Sequence, residues 1–184
     1  MTAQIIILHG PSSSGKSTTA KAVQNAIDAP FLHFSIDHLR DNGVLPSGRI
    51  SRGDFLWSDM RSHFFDGFHA SLAAYAAAGN NLILEHIFDT PEWVADLKRL
   101  FVPFDVFFVG LHCDVEELRR RELNRGNRVI GSAVQDHQSV HLGRIYDIEI
   151  DNQSSTTQNA QFILDGVRSG IRTSEFANLS KTGP

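Results

Sequence analysis

A glycine-rich segment near the start of the chain limits its fold more than any other feature. Residues 10–17 read GPSSSGKS and directly follow the apolar run Ile5-Ile6-Ile7-Leu8. The pattern G-x-x-x-x-G-K-[ST] between a strand and a helix is typical of a phosphate-binding loop, because its glycines let backbone N–H groups converge on phosphate oxygens. We therefore predict that the chain handles a nucleoside triphosphate. The alternative is an ordinary Ser/Gly turn between a strand and a helix.

Each position of this loop has an expected role. Lys16 should reach the β and γ phosphates, and the hydroxyl of Ser17 should ligate Mg²⁺. The candidate nucleotide-binding residues are Gly10, Pro11, Ser12, Ser13, Ser14, Gly15, Lys16, Ser17 and Thr18.

Length and charge limit the classes of protein to consider. A chain of 184 residues suits one domain with a substantial core. With 17 basic and 21 acidic residues, it has no overall basic field that would favour nucleic acid or an anionic membrane. A single cysteine, Cys113, excludes an internal disulfide and fits a reducing compartment. The amino terminus resembles neither a signal peptide nor a membrane span, so we expect a cytoplasmic protein.

Short apolar runs alternate with longer segments of helical period along the chain. This alternation is typical of βαβ units around a buried parallel sheet. We predict an α/β fold with a five-stranded parallel sheet and helices on both faces. The expected strands are Gln4–His9, Phe31–Ile36, Asn81–Ile87, Val106–His112 and Ile145–Ile150. The expected helices are Lys16–Ile27, Phe55–Ala78, one starting at Pro91, Val115–Leu123 and Thr156–Val167.

The chain divides into one domain over residues 1–168 and a polar tail over residues 169–184, which we expect to fray. Residues 41–54 contain three glycines and a proline, so they should form a loop that acts as a substrate flap. Residues 119–131 are rich in arginine and should form a lid.

Asp37 follows the second predicted strand. Ligands of an open parallel sheet bind beyond the carboxyl ends of its strands, so this carboxylate should share a crevice with the phosphate loop. An aspartate there can orient an acceptor hydroxyl and take its proton, which makes Asp37 the candidate general base. The alternative is that Asp37 only caps a short helix beginning at His38.

Glu85 ends the third predicted strand and is the candidate second metal ligand beside Ser17. Glutamate is longer than aspartate, so contact through water is as plausible as direct ligation. Glu85 could instead orient the substrate, or be an ordinary acid at a strand end.

Five arginines crowd the predicted lid: Arg119, Arg120, Arg121, Arg125 and Arg128. Arginine forks suit phosphate oxygens, so Arg125 and Arg128 are candidate catalytic residues and Arg121 a candidate nucleotide contact. Arg119 and Arg120 fit a solvated helix face better. His137 and His141 have helical spacing, but without further ligands they are a weak indication of zinc.

Several segments together resemble the chloramphenicol phosphotransferase-like family of P-loop small-molecule kinases. They are the phosphate loop, Ile36–Leu39, Glu85–Phe88, Phe108–Asp114, Arg121, Arg125–Val129 and Tyr146–Asp151. The resemblance covers most of the chain up to Asp151. It implies a kinase that uses ATP and Mg²⁺ to phosphorylate a hydroxyl of a small molecule. It also implies that Asp37 is the catalytic aspartate, that Lys16 and Ser17 contact ATP and Mg²⁺, and that Arg125 and Arg128 are lid arginines.

The chain departs from the family pattern in two places. Glu85-His86 stands where the family has paired aspartates. Residues 40–53 also differ from the family in length, and their Arg40, Arg49 and Arg52 would suit an anionic acceptor.

We expect an O-phosphotransferase acting on a chloramphenicol-like antibiotic or a related metabolite, without nucleic-acid or membrane partners. The alternatives are a nucleotide or nucleoside kinase, and a nucleotide-binding regulator with little transfer activity. The turn Asp151–Thr156 either borders the adenine pocket or caps the last helix.

Overall fold

A computed structural model describes residues 2–125, 131–151 and 154–177, apart from the side chains of Arg125 and Ser132. The strands are β1 (Gln4–His9), β2 (Phe31–Ser35), β3 (Asn81–His86), β4 (Asp105–His112) and β5 (Ile148–Asp151). The helices are α1 (Lys16–Ala26), α2 (Ile36–Asp41), α3 (Ser47–Ser51), α4 (Trp57–Ala77), α5 (Pro91–Phe101), α6 (Val115–Arg125), α7 (Ser132–Ser139) and α8 (Thr156–Ser169).

The five strands form one sheet in the order β2-β3-β1-β4-β5, and every neighbouring pair is parallel. β1 is central, with Ile6 paired to Ile83 of β3 and to Phe107 of β4. The predicted α/β class and five-stranded parallel sheet are confirmed. Because all strands run in one direction, the loops after β1, β2 and β3 meet at one edge of the sheet.

Alternate residues of the central strands face two separate cores. Ile5 and Ile7 pack on one face with residues of α4 and α5, including Leu72 and Leu97. On the other face Ile6 and Leu8 pack with residues of α1 and α8, including Val23, Ala20, Ile163 and Leu164. Helices therefore cover both faces of the sheet, as predicted, and this explains why the strands are continuous apolar runs.

The segment expected to be a loop, residues 41–54, contains the short helix α3 and follows the short helix α2. Neither helix has a buried residue. The first turn of α3 forms at Pro46, whose carbonyl accepts from the N–H of Ile50 at 3.0 Å. A five-residue helix lies below the length at which sequence periodicity is informative, so the pattern missed it.

The last strand begins later than predicted, at Ile148 instead of Ile145. Asp147 is the reason, since its carboxylate accepts from the N–H of Phe108 at 2.7 Å and from that of Thr173 at 2.6 Å. The Asp147 carboxylate thus accepts the hydrogen bond that a backbone carbonyl of the strand would otherwise accept at this point.

The same carboxylate helps to hold residues 170–177 of the predicted polar tail, since it also accepts from the N–H of Ser174 at 3.0 Å. Arg172 donates to both carboxylate oxygens of Asp105 at 2.8 Å. Phe176 is 4% exposed and packs edge to face on Phe108. Residues 178–184 lie outside the described residues.

Within the ranges that the structure describes, no helix combines the length and the apolar composition needed to cross a membrane.

Candidate active site

The phosphate loop links β1 to α1 in a strained backbone conformation. Ser13 and Gly15 have φ angles of 63° and 97°. Glycine accepts a positive φ freely, whereas for Ser13 it is uncommon and is typical of functional loops. Gly10 is required for space, because a Cβ there would lie 2.4 Å from the carbonyl oxygen of Leu111 on the neighbouring strand.

The polar groups of this loop are arranged as an anion-binding site would require. Lys16 is 8% exposed, and its Nζ donates to the carbonyl oxygens of Gly10 and Pro11 at 2.8 and 2.7 Å. The hydroxyl oxygens of Ser12 and Ser13 are buried and have no hydrogen-bond partner in the described structure. Buried hydroxyls without a protein partner can hydrogen-bond to the oxygens of a bound ligand. A triphosphate fits this cradle, because its oxygens would accept from these hydroxyls and the loop amides.

Ser17 and Glu85 meet beside the loop. The Ser17 hydroxyl donates to Glu85 Oε2 at 2.8 Å, and His33 Nε2 lies 2.5 Å from Glu85 Oε1. Burial alone would raise the pKa of the Glu85 carboxyl, but the hydrogen bonds from His33 and Ser17 outweigh it and lower this pKa below its usual value. The two expected metal ligands are therefore adjacent, and the carboxylate is held ionised.

Asp37 lies in the first turn of α2, at the end of β2. The residue that caps α2 is Ser35 and not Asp37, because the Ser35 hydroxyl accepts from the N–H of His38 at 3.1 Å. Asp37 instead pairs with Arg40, with an N–O distance of 3.1 Å.

One cleft is shared by the loop and the ends of β2 and β3. Its lining residues are Ser12, Ser13, Gly15, Lys16, Ser17, Ser35, Ile36, Asp37, Glu85, His86 and Ile87. Four residues selected from the sequence, Lys16, Ser17, Asp37 and Glu85, thus face the same space.

A second cleft lies on the other side of the phosphate loop. It is lined by Ser13, Gly15, Thr18, Thr19, Arg121, Asn124 and Thr156. Arg121 donates to the carbonyl oxygen of Ser13 at 3.4 Å and to Glu117 at 2.6 Å.

The remaining arginines of the predicted lid differ in position. Arg119 and Arg120 pair with Glu116 and Glu117 on the surface of α6, as a solvated helix face would. The side chain of Arg125 and the whole of Arg128 lie outside the described residues. In the turn before α8, Ser155 forms a capping box with Gln158, so the helix-cap interpretation is observed, whereas Asn152 and Gln153 also lie outside the described residues.

Helix α7, which the sequence did not predict, contacts the phosphate loop directly. The N–H of Ser12 donates to Asp136 Oδ2 at 2.9 Å, and His9 Nε2 donates to the carbonyl oxygen of Val140 at 2.9 Å. Glu122 of α6 holds the start of α7, since its two oxygens accept from the N–H groups of Gly131 and Ala133. These contacts join residues distant in sequence and belong to no motif, so no sequence signal marked them.

Three buried histidines lie behind the loop. His86 Nδ1 donates to the carbonyl oxygen of Ile87, and its Nε2 lies 2.9 Å from His69 Nε2, which donates to it. Burial lowers the pKa of His9 to about 3 and that of His69 to about 4, and it also lowers the pKa of His86. All three are neutral imidazoles at pH 7.

The histidine pair at the carboxyl end of α7 does not gather metal ligands. In the described structure, the one group of three potential ligands within reach of each other is His33, His38 and Glu85. His141 instead contacts the Tyr146 hydroxyl at 2.8 Å.

Comparison with known proteins agrees with this geometry. A relative from Mycobacterium tuberculosis is named "Putative O-phosphotransferase Rv2636". It is 28% identical to this chain over an alignment of 176 residues, and the match covers 83% of this chain and 76% of the relative. Among solved structures, an APS kinase of M. tuberculosis in complex with AMPPNP and APS has a TM-score of 0.65 at 19% identity and covers 91% of this chain and 98% of its own.

A shikimate kinase from Acinetobacter baumannii in complex with shikimate has a TM-score of 0.62 at 18% identity, covering 94% of this chain and 97% of its own. At these identities the two structures show the fold alone, which is that of P-loop kinases. The family model described as "Chloramphenicol phosphotransferase-like protein" matches residues 3–168, nearly the whole of the described chain. The chain therefore belongs to the chloramphenicol phosphotransferase-like family and is a P-loop small-molecule kinase.

Proposed function

We propose that this kinase transfers the γ phosphate of Mg-ATP to a hydroxyl group of a small molecule, with Asp37 as general base. One observation carries the proposal: Lys16, Ser17, Asp37 and Glu85 line a single cleft. Phosphoryl transfer needs groups that bind phosphate, hold a metal ion and orient an acceptor, and these four residues supply all three.

The nucleotide is proposed to lie along the phosphate loop. Its phosphates would accept from the loop amides, and Lys16 would exchange its bonds to the Gly10 and Pro11 carbonyls for phosphate oxygens. The adenine side is assigned to the second cleft, where Thr18 and Arg121 border the same loop. Arg125 and Arg128 are proposed as lid residues that neutralise transferred charge.

The metal ion is assigned to Ser17 and Glu85. A hydroxyl and an ionised carboxylate 2.8 Å apart are oxygen donors of the kind that Mg²⁺ prefers. Mg²⁺ would supply charge neutralisation for the phosphate oxygens. Glu85 would contribute to its shell directly or through water.

Asp37 is proposed to accept the proton of the acceptor hydroxyl. Its ion pair with Arg40 is only partly exposed, with side-chain exposures of 31% for Asp37 and 36% for Arg40, so the carboxylate is held in place while remaining reachable from the cleft. A carboxylate in this position orients the hydroxyl first and removes its proton as transfer proceeds.

The acceptor class follows from the family and from the charges of the flap. We propose a neutral hydroxyl compound, a chloramphenicol-like antibiotic or a related metabolite. Arg49 and Arg52 both pair with Asp54, and Arg40 pairs with Asp37 and Asp41. Since each arginine already contacts a carboxylate, an anionic acceptor would have to displace these pairs.

The test is Mg-ATP-dependent phosphorylation of chloramphenicol by the purified protein, read as product mass. Asp37→Asn should reduce turnover by about 10²–10⁴-fold while leaving the affinity for ATP nearly unchanged. Asp165→Asn is the matched control, because Asp165 is an exposed carboxylate on α8 that lines neither cleft.

Turnover that survives Asp37→Asn would contradict the assignment of the base. ATP binding without phosphorylation of chloramphenicol would move the acceptor search to nucleosides, nucleotides and anionic metabolites. ATP-dependent binding of a partner, retained in Asp37→Asn without any transfer, would favour the regulator.

A further inference from the structure

Two histidines and Glu85 converge next to the proposed magnesium ligands. His33 is on β2, His38 is in the first half of α2, and Glu85 ends the neighbouring strand β3. One ligand atom from each residue lies within 4.8 Å of the other two. The imidazoles of His33 and His38 meet edge to face, with ring centroids 4.6 Å apart.

This donor set differs chemically from a magnesium site. Mg²⁺ is held by oxygen atoms and loses its water ligands reluctantly, whereas imidazole nitrogens favour zinc and its neighbours among the transition metals. Two histidines and one glutamate are a known three-ligand set for zinc, with a fourth position left open. His33 and Glu85 are each 6% exposed at the side chain, so water competes poorly for their ligand atoms.

We propose that His33, His38 and Glu85 bind a divalent transition-metal ion, with Zn²⁺ the best match. The open fourth position would face the cleft that Glu85 lines. This site shares Glu85 with the proposed magnesium site, so the two ions would compete for its carboxylate, but binding of the transition metal does not require the phosphotransfer activity.

The observed geometry needs only local adjustment to accept the ion. His33 Nε2 and Glu85 Oε1 are 2.5 Å apart, and the imidazole N–H donates to the ionised carboxylate. Ligands at 2.0–2.1 Å from a tetrahedral ion lie about 3.3 Å from each other, so the ion would replace this proton and part the two side chains by about 1 Å.

His38 offers the sharpest variant. It lies on α2, a helix without buried residues, so His38→Ala should leave the fold intact. His63→Ala is the control, because His63 is an exposed histidine on α4. Glu85→Gln tests the carboxylate, and thermal unfolding of each variant would verify that it folds.

The experiment is titration of the untagged, metal-free protein with Co²⁺, whose visible absorption is strong in tetrahedral sites and weak in octahedral ones. We expect one equivalent to bind with tetrahedral bands, and Zn²⁺ to abolish them. His38→Ala should weaken binding at least tenfold, whereas His63→Ala should leave it unchanged.

Absence of tetrahedral bands from the folded protein would overturn the proposal, and so would bands that persist in both His38→Ala and Glu85→Gln. The titration contains no nucleotide or acceptor. A negative result would therefore contradict the metal site alone and leave the phosphotransfer proposal untouched.

Discussion

The phosphate loop and the flap, residues 41–54, are held in different ways. Ser12, Ser13 and Ser14 of the loop are each at most 6% exposed, and Gly10 lies against β4 with no room for a side chain. Helix α3 of the flap and helix α2, which precedes it, have no buried residue. Within the flap, Arg49 and Arg52, with side chains 56% and 66% exposed, form surface ion pairs with Asp54.

We propose that this difference reflects two tasks, phosphate binding by the loop and acceptor recognition by the flap. A buried, sterically restricted loop keeps its amides fixed for the phosphates of the nucleotide, and these phosphates are the same whichever acceptor is used. An exposed segment held by ion pairs can change its sequence with little loss of stability, because such pairs contribute only about 0–1 kcal/mol. We infer that acceptor specificity resides in the flap and that the transfer chemistry resides in the loop.

The largest effect should follow acidification, since His9, His69 and His86 lie behind the loop in neutral form. Their folded-state pKa values lie below the usual 6.5. As pH falls, the unfolded chain therefore takes up protons first, so stability is complete above pH 6.5 and declines below it. Between pH 7.5 and 5.5, each buried histidine should remove up to about 1.4 kcal/mol of unfolding free energy.

Urea unfolding at several pH values measures this loss. His9→Asn should reduce the steepness of the decline, whereas replacing the exposed His63 with Asn should not. A free energy of unfolding that is constant from pH 7.5 to 5.5 would show that the histidines do not limit stability.

Adding a methyl group at one glycine of the loop and at one glycine of the flap tests whether the loop is the more tightly packed of the two. At Gly10 a Cβ would lie 2.4 Å from the Leu111 carbonyl oxygen, whereas at Gly48 in α3 the nearest neighbour is an Arg52 nitrogen at 3.8 Å. Gly10→Ala should cost about 1–3 kcal/mol of stability and weaken ATP binding. Gly48→Ala should be neutral, or stabilise α3 by up to about 1 kcal/mol.

Chemical unfolding and nucleotide titration of both variants provide the measurement. Equal stabilities would mean that the loop relaxes as easily as the flap, contrary to the comparison.

The sequence predicted the buried half of the molecule well, because burial leaves a strong pattern. The bounds predicted for β1 are those observed, and the apolar runs of β3 and β4 were displaced by one residue at most. The positions of Lys16 and Ser17 at the start of α1 follow from the spacing of a local motif, so they could be predicted without knowing the fold. Asp37 and Glu85 required only the rule that ligands bind at the carboxyl ends of parallel strands.

What the sequence did not predict depends on contacts between distant residues. Helix α7 is joined to the phosphate loop by the hydrogen bond from the Ser12 N–H to Asp136, two residues 124 positions apart. The segment after Ser169 is polar, yet Arg172 and Asp147 anchor it through hydrogen bonds that periodicity cannot reveal. His33 and His38 have no motif, and their approach to Glu85 appears only when β2 and β3 are paired.

Asp136 of α7 provides a further test of the phosphate loop. Its carboxylate accepts from the N–H of Ser12, a position that phosphate oxygens would need. Removing its charge with Asp136→Asn should tighten ATP binding several-fold, or by about 1 kcal/mol. Isothermal titration checks this, with the exposed Asp165→Asn on α8 as control. Unchanged or weaker binding would mean that Asp136 does not compete with the nucleotide.

The smallest stability effect should come from the flap. The double variant Arg49→Ala, Arg52→Ala removes both partners of Asp54, an exposed carboxylate. Because the three charges are solvated, the loss should stay below about 1 kcal/mol in unfolding free energy. Acceptor kinetics on the same variant give the sharper result: a changed KM for the acceptor with an unchanged KM for ATP would place specificity in the flap. A loss of stability as large as that of Gly10→Ala would show instead that the ion pairs hold the flap as firmly as burial holds the loop.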